Sequence, residues 1–334
     1  MDIGRLDEVS HIVADLSARF VSHAGYKELE TEFNRLLWRR RADISAGRTP
    51  EGRGLIVVGN SGSGKTTAVD RLTARHPQLN LGQDGSVKLE ALSVRVPSPA
   101  SLKFVGEKTL HGFGLKIERN KTSNWLWDKV QFHARNRGTL FVHYDEAQDF
   151  ISNSKGTEIK PVMNTLKSFM QNKDWPVGLI LSGLPWLKEL MNLDPQLWRR
   201  FKPIHFPQIS YTTHGPEILG VLESYIDAVG LKTGQGIDNR FFLRRLIHAA
   251  SSEFGIAVEM IVGAIEEALL EDSKTVSIDN FAEMYRSRVG CVDALNPFVT
   301  DDFKVVDAGK LLGGVDNLMP EKLNQAIDSY RRAS

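Results

Sequence analysis

The residues Gly59-Asn60-Ser61-Gly62-Ser63-Gly64-Lys65-Thr66, followed by Thr67, fit the pattern G-x-x-x-x-G-K-[ST] between an apolar run and a helix-forming run. Glycines let this backbone curl until successive N–H groups face one point, and the positive end of the following helix adds to that field. An anion is held there. Lys65 is expected to reach the outer phosphates of a nucleoside triphosphate, and the Thr66 hydroxyl to ligate a Mg2+ ion that bridges them. Later in the chain the apolar run Thr139-Leu140-Phe141-Val142-His143-Tyr144 ends in Asp145-Glu146. Alone, that is a weak signal, since many strands run into a solvated acidic turn. Beyond a phosphate loop it reads as a hydrolytic pair: Asp145 to hold the metal through its water shell, Glu146 to polarise the water that attacks the γ-phosphate. His143 and Tyr144 read as packing residues. A third apolar run, Val177 to Leu181, ends in Ser182, whose hydroxyl is expected to face the γ-phosphate or the attacking water. Arg199 and Arg200 are a solvated pair by default. In an oligomer, one of them serves as a finger that neutralises charge on the neighbour's γ-phosphate.

Those side chains need a parallel sheet, because ligands lie at the carboxyl ends of parallel strands. Leu55 to Val58 reads as the first strand, and Thr66 to Arg75 as its helix, stopped by His76-Pro77. Val87 to Val96 alternates as a second strand, with a phase slip near Ala91, and ends at Pro97-Ser98-Pro99. Helices are expected over Ser101–Phe113, Trp125–Arg135, Pro161–Met170 and Leu187–Leu193, with a short last strand near Ile204–Phe206. Upstream, Leu6, Val9, Ile12, Val13, Leu16 and Phe20, then Tyr26, Leu29, Phe33, Leu36 and Leu37, recur at helical spacing. The second of these helices ends in Arg39-Arg40-Arg41, read as a solvated end that complements the helix dipole, with a phosphate contact as the alternative. From Pro216 to Arg288 helices dominate, with Ser277 capping the last. Beyond Cys291 the composition turns to Asn, Asp, Gly and Pro, the mark of a loosely held extension, before helical spacing resumes over Pro320–Arg332. The expected domains are therefore an N-terminal helical segment (1–50), an α/β core (51–212), a helical subdomain (213–290) and a C-terminal extension (291–334) that either binds a partner or packs its helix back on the helical subdomain.

The chain has 334 residues, 41% hydrophobic and 25% charged, and a formal net charge of +1. Such a balance suits a globular protein with a real core and gives no global basic field, so any nucleic-acid surface must be local. Its single cysteine excludes an internal disulfide. With no apolar run long enough to span a bilayer and no basic-then-apolar leader, the expected location is the cytoplasm, with no membrane partner.

The ordered set of phosphate loop, paired carboxylates, polar strand tip, arginine before the last strand and helical lid resembles the AAA+ ATPases. More narrowly, it is similar to the TniB/TnsC family of transposition helper ATPases, with MuB-like proteins more distant. That likeness rests on Val96-Pro97-Ser98-Pro99-Ala100-Ser101-Leu102-Lys103, Val142-His143-Tyr144-Asp145-Glu146-Ala147-Gln148, Leu181-Ser182-Gly183-Leu184-Pro185 and Gln196-Leu197-Trp198-Arg199-Arg200-Phe201, and spans roughly Tyr26 to Arg288. It implies a three-layer αβα P-loop core with a parallel sheet and a small helical lid. The implied activity is ATP hydrolysis with Mg2+ at subunit interfaces of a homo-oligomer, a ring or helical filament. Assembly on target double-stranded DNA would recruit or activate a transposase, or meet a target-selector protein, and hydrolysis would drive disassembly. The resemblance places the finger at Arg200, or at Arg199, and a DNA surface at Lys103, Arg119, Lys121 and Thr122. Two departures stand out: Gly255-Ile256-Ala257 occupies the lid region where many relatives carry an arginine, and no long basic N-terminal extension precedes the core. A replication initiator or helicase loader, and a signalling NTPase without DNA, are the competing readings.

Overall fold

Strands β1 (Gly54–Val58), β3 (Phe141–Asp145) and β4 (Gly178–Gly183) are buried along their whole length, as strands covered by helices on both faces must be. In the computed structural model, which describes residues 3–82, 87–98, 100–118, 121–150, 159–237, 239–312, 321, 324–325 and 327–328, they are joined by β2 (Ala91–Arg95) and β5 (Phe201–His205). Among the described residues these make one five-stranded sheet in the order β2-β3-β4-β1-β5, with every pairing parallel. This order brings the carboxyl ends of β1, β3 and β4 to one rim, which is where the sequence puts Gly59, Asp145 and Ser182.

Helices follow the strands. α2 (Ala24–Ser45), α3 (Lys65–Arg75), α4 (Leu102–Gly112), α5 (Ser123–Asn136), α6 (Ile159–Met170), α7 (Leu187–Met191) and α8 (Pro195–Trp198) belong with the sheet in one compact unit. Ser101 starts α4 by accepting from the Phe104 N–H, and Thr122 starts α5 by accepting from the Trp125 N–H; such caps contribute about 1 kcal/mol each. Trp127 meets Phe169 edge-on with ring centroids 5.9 Å apart, and Phe33 of α2 packs 5.1 Å from Phe141. The buried Ile327, near the C-terminus, lies in this same core.

The second unit gathers α1 (Ile3–Ala18), the loop tip Ser61–Gly64, and the helices α9 (Tyr211–Ala228), α10 (Arg240–Ala249), α11 (Phe254–Leu270), α12 (Ile278–Val289) and α13 (Ala308–Leu311). Two short parallel strands, β6 (Lys232–Thr233) and β7 (Thr275–Val276), tie α9 to the start of α12. Asn280 accepts from the Ser277 N–H at 2.9 Å, and Gly290, at φ 66°, closes α12 in the left-handed conformation that glycine allows. Arg5 of α1 reaches the α11 carboxyl end, donating to the Leu269 carbonyl at 2.8 Å and to Asp272 at 2.8 Å.

Several expectations shift. β2 begins at Ala91, where the phase slips, because Leu89 and Glu90 already donate their N–H groups to Arg137 and Asn80. The last strand starts earlier, at Phe201, and α9 starts at Tyr211, with Ser210 as its cap and Pro216 inside the helix. The N-terminal segment does not form a domain of its own: α1 joins the helical unit and α2 the sheet unit. Nor is the stretch after Cys291 loosely held as far as residue 312. Phe298 is buried among Phe242, Phe281 and Tyr285, and the Asn296 side chain, fully buried, donates to the Ala282 carbonyl at 2.8 Å. Arg245 donates to the carbonyls of Pro297 and Thr300. Apolar burial plus satisfied backbone groups outweighs the polar composition there. Leu323 and Tyr330 of the expected last helix lie outside the described residues.

Candidate functional site

The phosphate loop leaves β1 and turns through Gly62 and Gly64, at φ 79° and 88°. Both are conformations that side-chain-bearing residues rarely adopt. A Cβ on Gly62 would also sit 2.5 Å from the Ile256 side chain. The Ile256 N–H, one of the unpaired donors at the start of α11, gives its hydrogen to the Gly62 carbonyl at 3.2 Å. Gly255 and Ile256 therefore seat directly on the loop tip, presenting backbone and an apolar side chain there. Lys65 is buried at the start of α3, its Nζ donating to the Asn60 carbonyl at 2.7 Å. Thr66, one residue on, is exposed as a residue, and its hydroxyl lies 3.2 and 3.1 Å from the two oxygens of Asp145. A hydroxyl and a carboxylate are hard oxygen donors, so the pair fits a Mg2+ ion bound with waters and phosphate oxygens.

Asp145 is almost fully buried at the tip of β3. Glu146, the next residue, takes φ 54°, a left-handed conformation unusual for a residue with a side chain. That turn separates the two carboxylates: Asp145 stays in the strand, while Glu146 leaves it, held by the Gln148 amide donating to Oε2 at 2.5 Å. Gln148 also accepts from the Leu184 N–H at 3.2 Å, and a Cβ on Gly183 would lie 2.2 Å from its Oε1. Glycine at 183 thus makes room for the amide that orients Glu146. A cavity of about 560 Å3 opens beside Glu146, lined by Arg95, Lys108, His111 and Asp149 among others.

Ser182, expected to face the γ-phosphate or the attacking water, stands at the tip of β4. It is fully buried, and its hydroxyl donates to Asp145 Oδ1 at 2.6 Å. His143 Nε2 is 2.7 Å from the same hydroxyl, and His143 Nδ1 is 2.8 Å from Ser93 Oγ. His143, read from the sequence as packing, is bonded through both ring nitrogens. Its period-2 relation to Asp145 is the signal for this, since the two share a face of the strand. Burial pulls the His143 pKa down to about 4, against the pull of Asp145, and burial raises that of Asp70, which lies 3.2 Å from Ser93 Oγ.

The two arginines separate. Arg200 is buried, its guanidinium donating to Glu51 at 2.6 Å and to the Gln196 carbonyl, and this contact holds the Glu51 carboxyl below its ordinary pKa. Arg199 is exposed. Of the two finger candidates, then, Arg200 is bonded within its own chain and Arg199 is exposed. Of the triplet on α2, Arg40 is buried against Trp175 and donates to the Pro176 carbonyl, and Arg41 pairs with Glu90 at 2.9 Å; both hold structure, whereas Arg39 is exposed.

The residues expected to meet DNA lie on or beside α4 and α5. Lys103 is on α4; Lys121 stands 5.0 Å over the exposed Trp125 ring; and Thr122 spends its side chain on the α5 cap. Arg119 is outside the described residues. Lys129 continues the row between Trp125 and the exposed Phe132, a basic and aromatic stripe that the helical spacing alone did not single out. In the helical unit, burial, with His214 adding to it, lowers the His23 pKa to about 4; its ring lies 4.6 Å from Phe254.

The family model for the bacterial TniB protein matches residues 12–211, more than half of the chain. No curated protein matches the sequence. Among solved structures, the ORC2 protein of Aeropyrum pernix in its ADPNP–ADP complexes is 14% identical with a TM-score of 0.54, covering 78% of this chain and 67% of that one. The Aeropyrum pernix ORC1 protein in complex with DNA is 14% identical with a TM-score of 0.55, over 82% and 68%. The Walker-type ATPase PABY2304 of Pyrococcus abyssi is 12% identical with a TM-score of 0.50, over 80% and 73%. At these identities the likeness shows the fold, which is that of the AAA+ P-loop ATPases.

Proposed function

The chain belongs to the TniB family of bacterial proteins, and from that premise we propose that it is an ATP-dependent regulator of DNA transposition. It oligomerises on target double-stranded DNA, recruits or activates a transposase, and leaves the DNA when it hydrolyses ATP to ADP and phosphate. The observation that carries this reading is the meeting of Thr66 and Asp145, 3.1 Å apart at the mouth of the phosphate loop, with Glu146 turned out of the strand beside them. The solved AAA+ neighbour that holds ADPNP and ADP supports the choice of nucleotide, and the one solved with DNA supports the choice of polymer.

In this reading the Gly59–Thr67 backbone and Lys65 bind the triphosphate. Thr66 and Asp145 hold Mg2+, which when bound neutralises charge on the β- and γ-phosphates. Glu146, oriented by Gln148, takes a proton from the attacking water as the oxygen meets the γ-phosphorus. Arg199 of one subunit completes the site of the next, so hydrolysis waits for assembly. Lys103 and the Lys121–Lys129 stripe contact DNA phosphates, which carry no sequence information and give salt-dependent binding.

The likeness to the Aeropyrum pernix ORC proteins, at 14% identity, does not favour a replication-initiator role. The test is ATP-dependent retention on duplex DNA. Lys65→Ala is expected to abolish it and Glu146→Gln to prolong it; equal behaviour of both variants and the parent would overturn the proposal.

A further inference from the structure

A file of polar groups crosses three strands beneath the phosphate loop: Asp70 on α3, Ser93 on β2, His143 on β3, Ser182 on β4, Asp145 back on β3, and Thr66 on α3. We propose that Ser182 and His143 are positioning residues that hold the Asp145 carboxylate toward the metal, with Ser93 fixing His143 in turn. The inference rests on the nucleotide-site reading above and deepens it, because a polar residue at the tip of β4 was expected to sense the γ-phosphate itself.

Counting hydrogens gives the file its direction. Asp145 can only accept, and Ser182 Oγ is 2.6 Å from it, in the range of a hydroxyl bonded to a carboxylate. The one Ser182 hydrogen is therefore spent on Asp145. The contact of 2.7 Å between Ser182 Oγ and His143 Nε2 must then run the other way, with Nε2–H as donor. A neutral imidazole that donates through Nε2 accepts through Nδ1, and Ser93 Oγ lies 2.8 Å from that nitrogen, within donating distance. The Ser182 and Nε2 hydrogens thus have one acceptor each, whereas the Ser93 hydrogen has two within reach, His143 Nδ1 at 2.8 Å and Asp70 Oδ1 at 3.2 Å, of which His143 is the nearer.

Geometry supports the same assignment. Ser182 and His143 are fully buried, so water cannot replace a lost partner. Asp145 Oδ1 is shared between Ser182 at 2.6 Å and Thr66 at 3.2 Å. Take away the His143 donor and the Ser182 rotor is free to turn off the carboxylate, which then no longer presents a fixed oxygen beside Thr66. Partners that orient a metal-binding residue typically carry about 10–100-fold in metal affinity.

The experiment titrates Mg2+ into each protein with a fluorescent, non-hydrolysable ATP analogue and reads bound analogue, alongside binding without Mg2+ and thermal unfolding. His143→Leu and Ser182→Ala are expected to raise the Mg2+ concentration at half-effect about 10–100-fold while Mg2+-free binding keeps its parent value. His143→Gln, which can offer an Nε2–H donor, is expected to recover most of the loss, and the double variant to be no worse than the single ones. Ser93→Ala, at an exposed position of the edge strand, is expected to shift the midpoint the same way by several-fold and keeps the test open if His143→Leu does not fold. An unchanged Mg2+ midpoint in Ser182→Ala and Ser93→Ala overturns the proposal, as does equal loss of binding with and without Mg2+. If the parent itself shows no Mg2+-dependent binding, the nucleotide-site reading fails first; a parent that responds and variants that match it defeat the positioning role alone.

Discussion

At the scale of single residues, the decisive contrast is between Arg199 and Arg200. Arg200 is buried and bonded to Glu51 and the Gln196 carbonyl, so Arg200→Ala is expected to lower stability by about 1.5–3 kcal/mol, the range for hydrogen bonds to charged groups. Arg199→Ala should leave the melting temperature in place and remove hydrolysis stimulated by assembly on DNA. Measuring both properties in both variants checks the assignment; the reverse pattern would return the finger to Arg200. Protonation adds a second prediction. His23 and His143 titrate near pH 4 when folded against an ordinary 6.5, because burial disfavours the charged ring. The unfolded chain therefore binds more protons between those values, and the stability these residues contribute, full above about pH 6.5, is lost as pH falls toward 4. Chemical denaturation at a series of pH values, with His23→Gln as comparison, should show the parent losing more across that window. The sequence made the phosphate loop and Asp145-Glu146 legible because local spacing carries them. It hid the partners of Ser182, because a serine at a strand tip looks the same whether it faces solvent or two buried neighbours on the adjacent strand.

Elements were legible where one face is apolar over many residues, as in α2, α10 and α11, and where β1, β3 and β4 run apolar without break. Their ends were less so. Whether Leu89 and Glu90 enter β2 depends on Arg137 and Asn80, which no local pattern announces. The segment after α12 misled for a related reason: its polar letters conceal Asn296 and Phe298, which bind it to the helical unit. Replacing Phe298 with Ala is accordingly expected to cost about 3–5 kcal/mol, as for large aromatic cores, and Asn296→Ala about 1–3 kcal/mol through the unpaired Ala282 carbonyl and Phe298 N–H. Urea unfolding of the full chain measures both; near-zero costs would mean the segment is held elsewhere. Deleting from residue 296 onward, which removes the buried Ile327 as well, is expected to damage the fold and cannot by itself reveal a partner.

For the whole molecule, the net charge of +1 says nothing about where cations gather, and the lysines on which the proposal draws are Lys103 of α4 and the Lys121–Lys129 row at α5. Lys103→Ala and Lys121→Ala should each weaken duplex binding about equally across sequences and reduce the slope of log affinity against log salt by about one. Sequence-dependent effects with an unchanged slope would remove those lysines from the phosphate contacts. Among the described residues, no helix is long and apolar enough to cross a membrane. The central claim is that the phosphate loop governs assembly on DNA, and negative-stain electron microscopy of the parent, Lys65→Ala and Glu146→Gln on duplex DNA with ATP and Mg2+ tests it most directly. The account predicts ordered assemblies for the parent, none for Lys65→Ala, and longer-lived ones for Glu146→Gln; assemblies that form equally in all three, or without ATP, would contradict it.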